Sequence, residues 1–223
     1  MVAIPIRTPL VDAGDDLVTI VARGVGGIAR AGDVIAVSET ALAIAQGEFI
    51  RAEYIRPTPL AYTLCRHAGA LATVSQPESM QLAIDFAGRA KVLYATLAHV
   101  VGRALGRRGV FYEVMGTDLA AMDGYTGTMP PFERAIVLAP RDPGAFAASV
   151  FERTGIACAV VDANDLGKAK VLGTSHGVDR ARVESALLDN PHGNGDEQTP
   201  IVILKWRGRG RNPLFEGSAD DEP

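Results

Sequence analysis

Eleven residues concentrate most of the chemistry this chain offers in one place. Asn190-Pro191-His192-Gly193-Asn194-Gly195-Asp196-Glu197-Gln198-Thr199-Pro200 brings amide, imidazole and carboxylate groups around two glycines, directly ahead of the apolar run Ile201-Val202-Ile203-Leu204. Glycine loses more backbone entropy on folding than other residues, and these polar groups add nothing to an apolar core. Such a loop makes more sense as a cradle for a ligand or an ion. Gly116-Thr117-Asp118 and Asp162-Ala163-Asn164-Asp165-Leu166-Gly167 have the same character. Together the three suggest a polyanion site with metal.

Each block also has a plainer reading. Aspartate beside glycine is ordinary turn chemistry, and taken alone Asp118, with Asp123-Gly124 five residues on, reads as a turn. The functional alternative is a hard-cation ligand, because Mg²⁺ and Mn²⁺ sites combine one or two carboxylates with substrate phosphates. Asp162-Ala163-Asn164-Asp165 is expected at the end of a strand, where turns and ligand groups both collect. Asn194, Asp196 and Glu197 add oxygen donors to the set. The catalytic reading requires Asp118 and Asp162 to meet at a shared cation.

Other features carry less. Gly24-Val25-Gly26-Gly27-Ile28-Ala29 has the letters of a dinucleotide fingerprint, but Arg30-Ala31-Gly32-Asp33 would break the helix that must follow, so a flexible turn is expected. No Walker-type Gly-Lys-Ser/Thr occurs. His67 and His99 fall in helical segments and read as partly buried side chains, whereas His176 and His192 lie in glycine-containing loops. Arg103, Arg107 and Arg108 read as a solvated face, although arginine can also clamp phosphate.

The elements that must position these residues follow from periodicity. Asp15-Asp16 favours a helix start for Val18–Arg23, although a strand also fits there. Asp33–Val37 reads as a buried strand, and Glu39–Gln46 as a short helix or extended stretch closed by Gly47. Thr58–Ala70, Gln76–Gly88 and Lys91–Leu105 carry helical spacing. Val110–Val114 and Ile136–Ala139 read as strands. Asp142-Pro143 opens a helix to about Thr154. Ala157–Val161 is a further strand, Val183–Leu188 a helix, and Ile201–Trp206 the last strand. Helices and strands mix without clean βαβ alternation, so the expected class is α+β. The glycine-, arginine- and acid-rich tail, 206–223, is expected to be flexible.

At 223 residues, 48% hydrophobic and 22% charged, the chain has the composition of a soluble globular protein with a sizeable core. A net charge of −4 gives no reason to expect nucleic acid or an acidic membrane surface as partner. Cys65 and Cys158 show neither metal-ligand spacing nor a disulfide framework, which fits a reducing compartment. Val2-Ala3-Ile4-Pro5-Ile6 lacks a basic flank and a long apolar run, so no signal peptide is expected, and the expected location is cytoplasmic.

Pro9-Leu10-Val11 with Gly14-Asp15-Asp16-Leu17, then Gly32-Asp33-Val34-Ile35, Gly116-Thr117-Asp118, Asp162-Ala163-Asn164 and Gly193-Asn194-Gly195-Asp196-Glu197-Gln198-Thr199-Pro200 occur in the order seen in one family. Over roughly residues 1–205 the chain resembles the coenzyme F420-0:L-glutamate ligases, which form γ-glutamyl amide bonds on a deazaflavin cofactor. The resemblance implies GTP as co-substrate, Mn²⁺ or Mg²⁺, L-glutamate, a carboxylate acceptor and activation through an acyl phosphate. It implies a homodimer of two-lobed subunits, with one ligase-like domain over 1–205 whose lobes exchange near 75–110 and 180–190. Asp118 and Asp162 would be the catalytic, metal-binding carboxylates. Ala163, through its carbonyl, and Asn194 would complete the metal set. Thr8, Pro9, Leu10, Val11, Glu39 and Thr40 would contact the nucleotide, and Gly193, Asn194, Gly195, Asp196, Glu197 and Thr199 would wrap its phosphates.

The chain departs from the family pattern on the nucleotide side. Glu39-Thr40 stands where the family has a Ser-Thr pair, and Ile44 where it has a lysine. Ala163 and Ala121 replace a threonine and an asparagine. A carboxylate gained and a cation lost beside a triphosphate should weaken GTP binding by ~2 kcal/mol or more in a dry site. Two alternatives stay open: an amide ligase with another acceptor or nucleotide, and a non-catalytic ligand-binding relative.

Overall fold

A computed structural model describes residues 1–68, 73–107, 109–116, 130–164, 167–193, 195–208 and 211–216. The chain divides into two compact units, one formed by Met1–Glu48 with Pro140–Pro223 and the other by Phe49–Ala139. The fold mixes helices with an open five-stranded sheet and a two-stranded one, an α+β architecture. No helix among the described residues is long and apolar enough to cross a membrane.

The first unit is built on the five-stranded sheet, in the order β1 (Val2–Ile6), β7 (Ile201–Lys205), β2 (Val34–Ser38), β5 (Ala157–Asn164), β6 (Lys168–Thr174). β2 and β5 run parallel, and the other pairings are antiparallel. The central strands are apolar at consecutive positions because both sheet faces are covered. On one face Val34, Ala36, Ala159, Val202 and Leu204 pack with Val183 and Leu187. On the other side helix α7 (Pro143–Thr154) lies against β5 and β6, and α1 (Leu17–Val25) lies against α7 and β7. The short helices α2 (Glu39–Ala45) and α8 (Arg180–Ala186) complete the unit.

Local chemistry starts these helices where the sequence indicates. Asp16 accepts a bond from the Thr19 amide at 3.0 Å, resolving Val18–Arg23 as part of a helix. Asp142 caps the Ala145 amide at 3.0 Å ahead of Pro143, and Gly155 closes α7 in the left-handed region with φ +69°. Gly24 belongs to α1 rather than to a turn. A Cβ there would lie 3.3 Å from Ile6 Cγ2, so the glycine serves close helix–sheet approach.

The second unit holds α3 (Pro59–Cys65), α4 (Pro77–Ala87), α5 (Arg89–Ala104), α6 (Val110–Met115) and a two-stranded antiparallel sheet of β3 (Phe49–Arg51) and β4 (Ala135–Val137). Its core gathers Ala61, Leu64, Met80, Ile84, Val92, Phe111 and Ile136.

Three expectations are corrected. Val110–Val114 is helix α6, not a strand: Phe111 and Met115, one helical turn apart, enter the core together, and Val110 packs on Gly102 of α5. Tertiary packing outweighs the β-propensity of Val-Phe-Tyr. β5 runs on to Asn164 instead of ending at Val161, because β6 supplies a ladder partner: Asp162 pairs with Lys170, Ala163 with Ala169 and Asn164 with Lys168. Finally, the tail is not loose over residues 211–216. Leu214 is fully buried, its carbonyl accepts from the Asp179 amide at 2.9 Å, and Phe215 bridges to Val178.

Candidate functional site

The end of the sheet where β1 and β2 stop and β7 begins gathers several of the expected blocks. Ile6 and Val37 both stand opposite Ile201, and Ser38 stands opposite Val161. Thr8, Ser38-Glu39-Thr40, Thr199-Pro200 and Asp162 therefore emerge at one edge of the first unit. Hydrogen bonds fix the juxtaposition. The Thr8 amide donates to the Gln198 carbonyl at 2.9 Å, and the Ser38 amide donates to the Pro200 carbonyl at 2.8 Å. The Gly14 amide donates to the Ala45 carbonyl, which ties the loop after β1 to the end of α2.

The 190–200 loop is held from inside. His192 is buried, with Nδ1 3.2 Å from the Thr199 carbonyl, while Thr199 Oγ1 donates to the His192 carbonyl at 2.5 Å. Burial pushes the His192 imidazole down to about 4, against the raising effect of its bond to Thr199. Its Nε2 is buried without a partner among the described residues. The paired bonds between His192 and Thr199 tie the two arms of the loop together. Asn190 is buried beside it in the left-handed region, φ 43°. This lock, the Ser38 amide and the Gln198 carbonyl are roles that the sequence reading did not assign. The unusual composition of the loop signalled the loop alone, and nothing in the sequence marked the two backbone groups.

Glu197 folds back into the glycine turn. Its Oε2 accepts from the Gly195 amide at 2.8 Å, and a Cβ on Gly193, whose φ is +74°, would lie 2.6 Å from its carboxyl carbon. Asp196, Gly195 and Glu197 are exposed, and Gly193 and Thr199 are half-buried. At the opposite loop Thr8 and Val11 are buried, whereas Pro9 and Leu10 face solvent. Thr8 Oγ1 donates to the Pro9 carbonyl at 2.8 Å.

Glu39, the first residue of α2, is buried, and Thr40 is half-buried. A carboxylate in a helix's first turn is favourably placed against the backbone amides, which helps explain its tolerance there. Ile44 packs into the core on the same helix.

Asp162 sits inside β5, not in a loop. It is half-buried, and burial raises its carboxyl above the usual range while Lys170 pulls the other way. Among the described residues nothing donates a hydrogen bond to it. Ala163 follows it in the strand. Asp118 and Asn194 lie outside the described residues, as do Thr117 and Ala121. Among the described residues no group of three or more His, Cys, Asp or Glu side chains could hold a metal ion. What is described is two loops, the start of α2 and one half-buried carboxylate at the same end of the sheet.

No curated protein matches the chain. The profile of the F420-0:Gamma-glutamyl ligase family matches residues 5–188, which includes Thr8–Val11, Glu39, Thr40, Asp118, Asp162 and Ala163 but stops short of the 190–200 loop. That loop enters the site by its bonds to Thr8 and Ser38 instead. With most of its length matched, the chain belongs to the F420-0:gamma-glutamyl ligase family.

Proposed function

We propose that this protein is a GTP- and divalent-metal-dependent ligase that joins L-glutamate to a carboxylate acceptor such as coenzyme F420-0 through a γ-glutamyl-type amide bond. The observation that carries the reading is that Thr8, Ser38, Glu39, Thr199 and Asp162 emerge at one end of the five-stranded sheet in a chain of this family. A carboxylate is inert towards an amine until a leaving group is attached. Transfer of the γ-phosphoryl group of GTP to the acceptor carboxylate gives an acyl phosphate and GDP. The glutamate amine then attacks the acyl carbon, the C–N bond forms, and inorganic phosphate leaves with release of a proton.

The chain's own part in this is binding and charge. Asp162 fits a cation ligand: its carboxylate is half-buried, destabilised by that burial, and has no hydrogen-bond donor among the described residues. Asp118, the Ala163 carbonyl and Asn194 would share the ion with it. Mn²⁺ or Mg²⁺ bound there would neutralise triphosphate charge. The Gly193–Thr199 loop offers backbone amides to phosphate once Glu197 swings out, and the Thr8–Val11 turn with Glu39-Thr40 flanks the nucleotide.

The test is GDP release with GTP, Mn²⁺, glutamate and the deazaflavin acceptor. Asp162→Asn should reduce it by about 100-fold or more, at the upper end of what losing a supporting metal partner costs. Release equal in both proteins, or absent in both, would sink the reading. Burial of Glu39 and the packing of Ile44 favour a second version, in which the same ligation uses another nucleotide. Calorimetric titration with a panel of nucleoside triphosphates separates the two, since only the first version gives tightest binding for GTP.

A further inference from the structure

Asp162 faces a lysine across the β5–β6 ladder. In an antiparallel pair, residues standing directly opposite share a sheet face, with Cβ atoms about 5 Å apart. The register sets Lys170 opposite Asp162 and Lys168 opposite Asn164. Successive side chains alternate between faces, so these four lie on the face turned away from Val161, Ala163, Ala169 and Val171, which join the apolar cluster. Both lysines are exposed, whereas Asp162 and Asn164 are half-buried. Lys170 lies near enough to pull the Asp162 carboxyl down against the larger effect of burial. Yet the ion pairs among the described residues are Arg107–Glu113, Arg141–Glu48 and Lys205–Asp33, and neither lysine belongs to one.

Lysine on an edge strand also has a protective role. β6 is the last strand of its sheet, where charge discourages pairing with another chain. Edge protection needs charge anywhere along β6, however, whereas Lys170 stands beside the half-buried carboxylate. The rest of this end of the sheet is short of positive charge. Helix α2, which starts there, has no cation over Glu39–Ala45. Arg7 follows β1, three strand spacings or roughly 14 Å from β5. A hard cation on Asp162 would take substrate phosphates among its ligands, and a lysine across the ladder reaches the same phosphates from the outer side. An ammonium serves there as a point charge.

We propose that Lys170 is a phosphate-binding residue, its ammonium taking oxygens of a triphosphate whose other oxygens ligate a hard cation on Asp162. The proposal rests on the metal and nucleotide part of the function above and adds a residue to it. Cation and ammonium hold the triphosphate from two sides. Lys170 works against the bare ion, because like charges repel across the ladder, but in favour of the ion that carries phosphate. Removing it therefore moves the two affinities in opposite directions.

Two titrations of the full chain test it: calorimetry with the Mg²⁺ complex of inorganic tripolyphosphate, and Mn²⁺ alone, followed by the electron spin resonance of the free ion. Lys170→Met should weaken tripolyphosphate binding at least about tenfold, the loss of one hydrogen bond between charged groups. Mn²⁺ alone should bind the variant as tightly as the wild type or more tightly. Lys170→Arg should restore most of the tripolyphosphate affinity, and Lys168→Met, two residues along the strand, should lose less. Circular dichroism and the urea midpoint should stay unchanged in all three, since both positions are exposed. Equal tripolyphosphate affinity in Lys170→Met and wild type overturns the role and leaves the ligase standing. So does an equal loss in Lys168→Met, because a diffuse positive field would then suffice, and so does weakened Mn²⁺ binding in Lys170→Met. A wild type that binds no tripolyphosphate overturns both. The expected loss in Lys170→Met, in a protein that releases no GDP from GTP, keeps Lys170 as a phosphate ligand and overturns the ligase chemistry alone.

Discussion

At the scale of single residues, His192 shows how a side chain with catalytic chemistry can serve as a fastener. Its imidazole is buried neutral against the Thr199 carbonyl, with its pKa lowered to about 4 against 6.5 in solution. The unfolded chain takes up a proton as pH falls below 6.5, while the folded chain resists until about 4. Stability should therefore drop across that window, by up to about 3 kcal/mol from this group, and be fully present above pH 6.5. Urea unfolding at pH 7 and pH 4.5 measures the drop. His192→Gln should flatten it relative to the wild type, and an equal drop in both proteins would refute the role. Asp162 has the opposite sign: burial raises its carboxyl, so charge at this position costs stability until a cation arrives. That is the property expected of a ligand-binding residue.

At the scale of elements, the site's frame depends on how closely α7 approaches β6. A Cβ on Gly173 would lie 2.4 Å from the Gly144 amide nitrogen and 2.5 Å from the Pro143 carbonyl carbon, contacts with backbone that cannot rotate away. Gly173→Ala should cost about 1–3 kcal/mol, because the helix must lift off the strand. Chemical denaturation would show it as a shifted midpoint with little change in slope. An alanine variant as stable as the wild type would mean that helix and strand separate freely. The lift would propagate to β5, since β6 is its ladder partner and Asp162 lies in that pairing.

At the scale of the molecule, each of the two units has a core of its own. The first is closed by the chain's far end: Leu214 is fully buried in the cluster that includes Val183, Leu187, Val202 and Leu204. Leu214→Ala should destabilise that unit by about 2–4 kcal/mol through lost burial and the cavity left behind. Thermal unfolding with and without GTP and Mn²⁺ checks this, and a Leu214 variant that melts with the wild type would place the segment outside the cooperative structure.

Legibility differed between these levels for physical reasons. The sequence alone determined the helix start at Asp142 and favoured one at Asp16 while leaving a strand open, since a cap needs only its own next turn. It also determined two buried strands, read as Asp33–Val37 and Ile201–Trp206 and found at Val34–Ser38 and Ile201–Lys205, whose apolar runs admit little else, and through the ordered glycine blocks it determined the family. β1, β3 and β6 depend on partners distant in the chain, and Val110–Met115 changed class because a neighbouring helix offered a glycine to pack on. The meeting of Thr8, Ser38 and the 190–200 loop was likewise decided only by the tertiary fold. It is made by strand register and by backbone amides and carbonyls that every residue type supplies, so nothing in the sequence marks them.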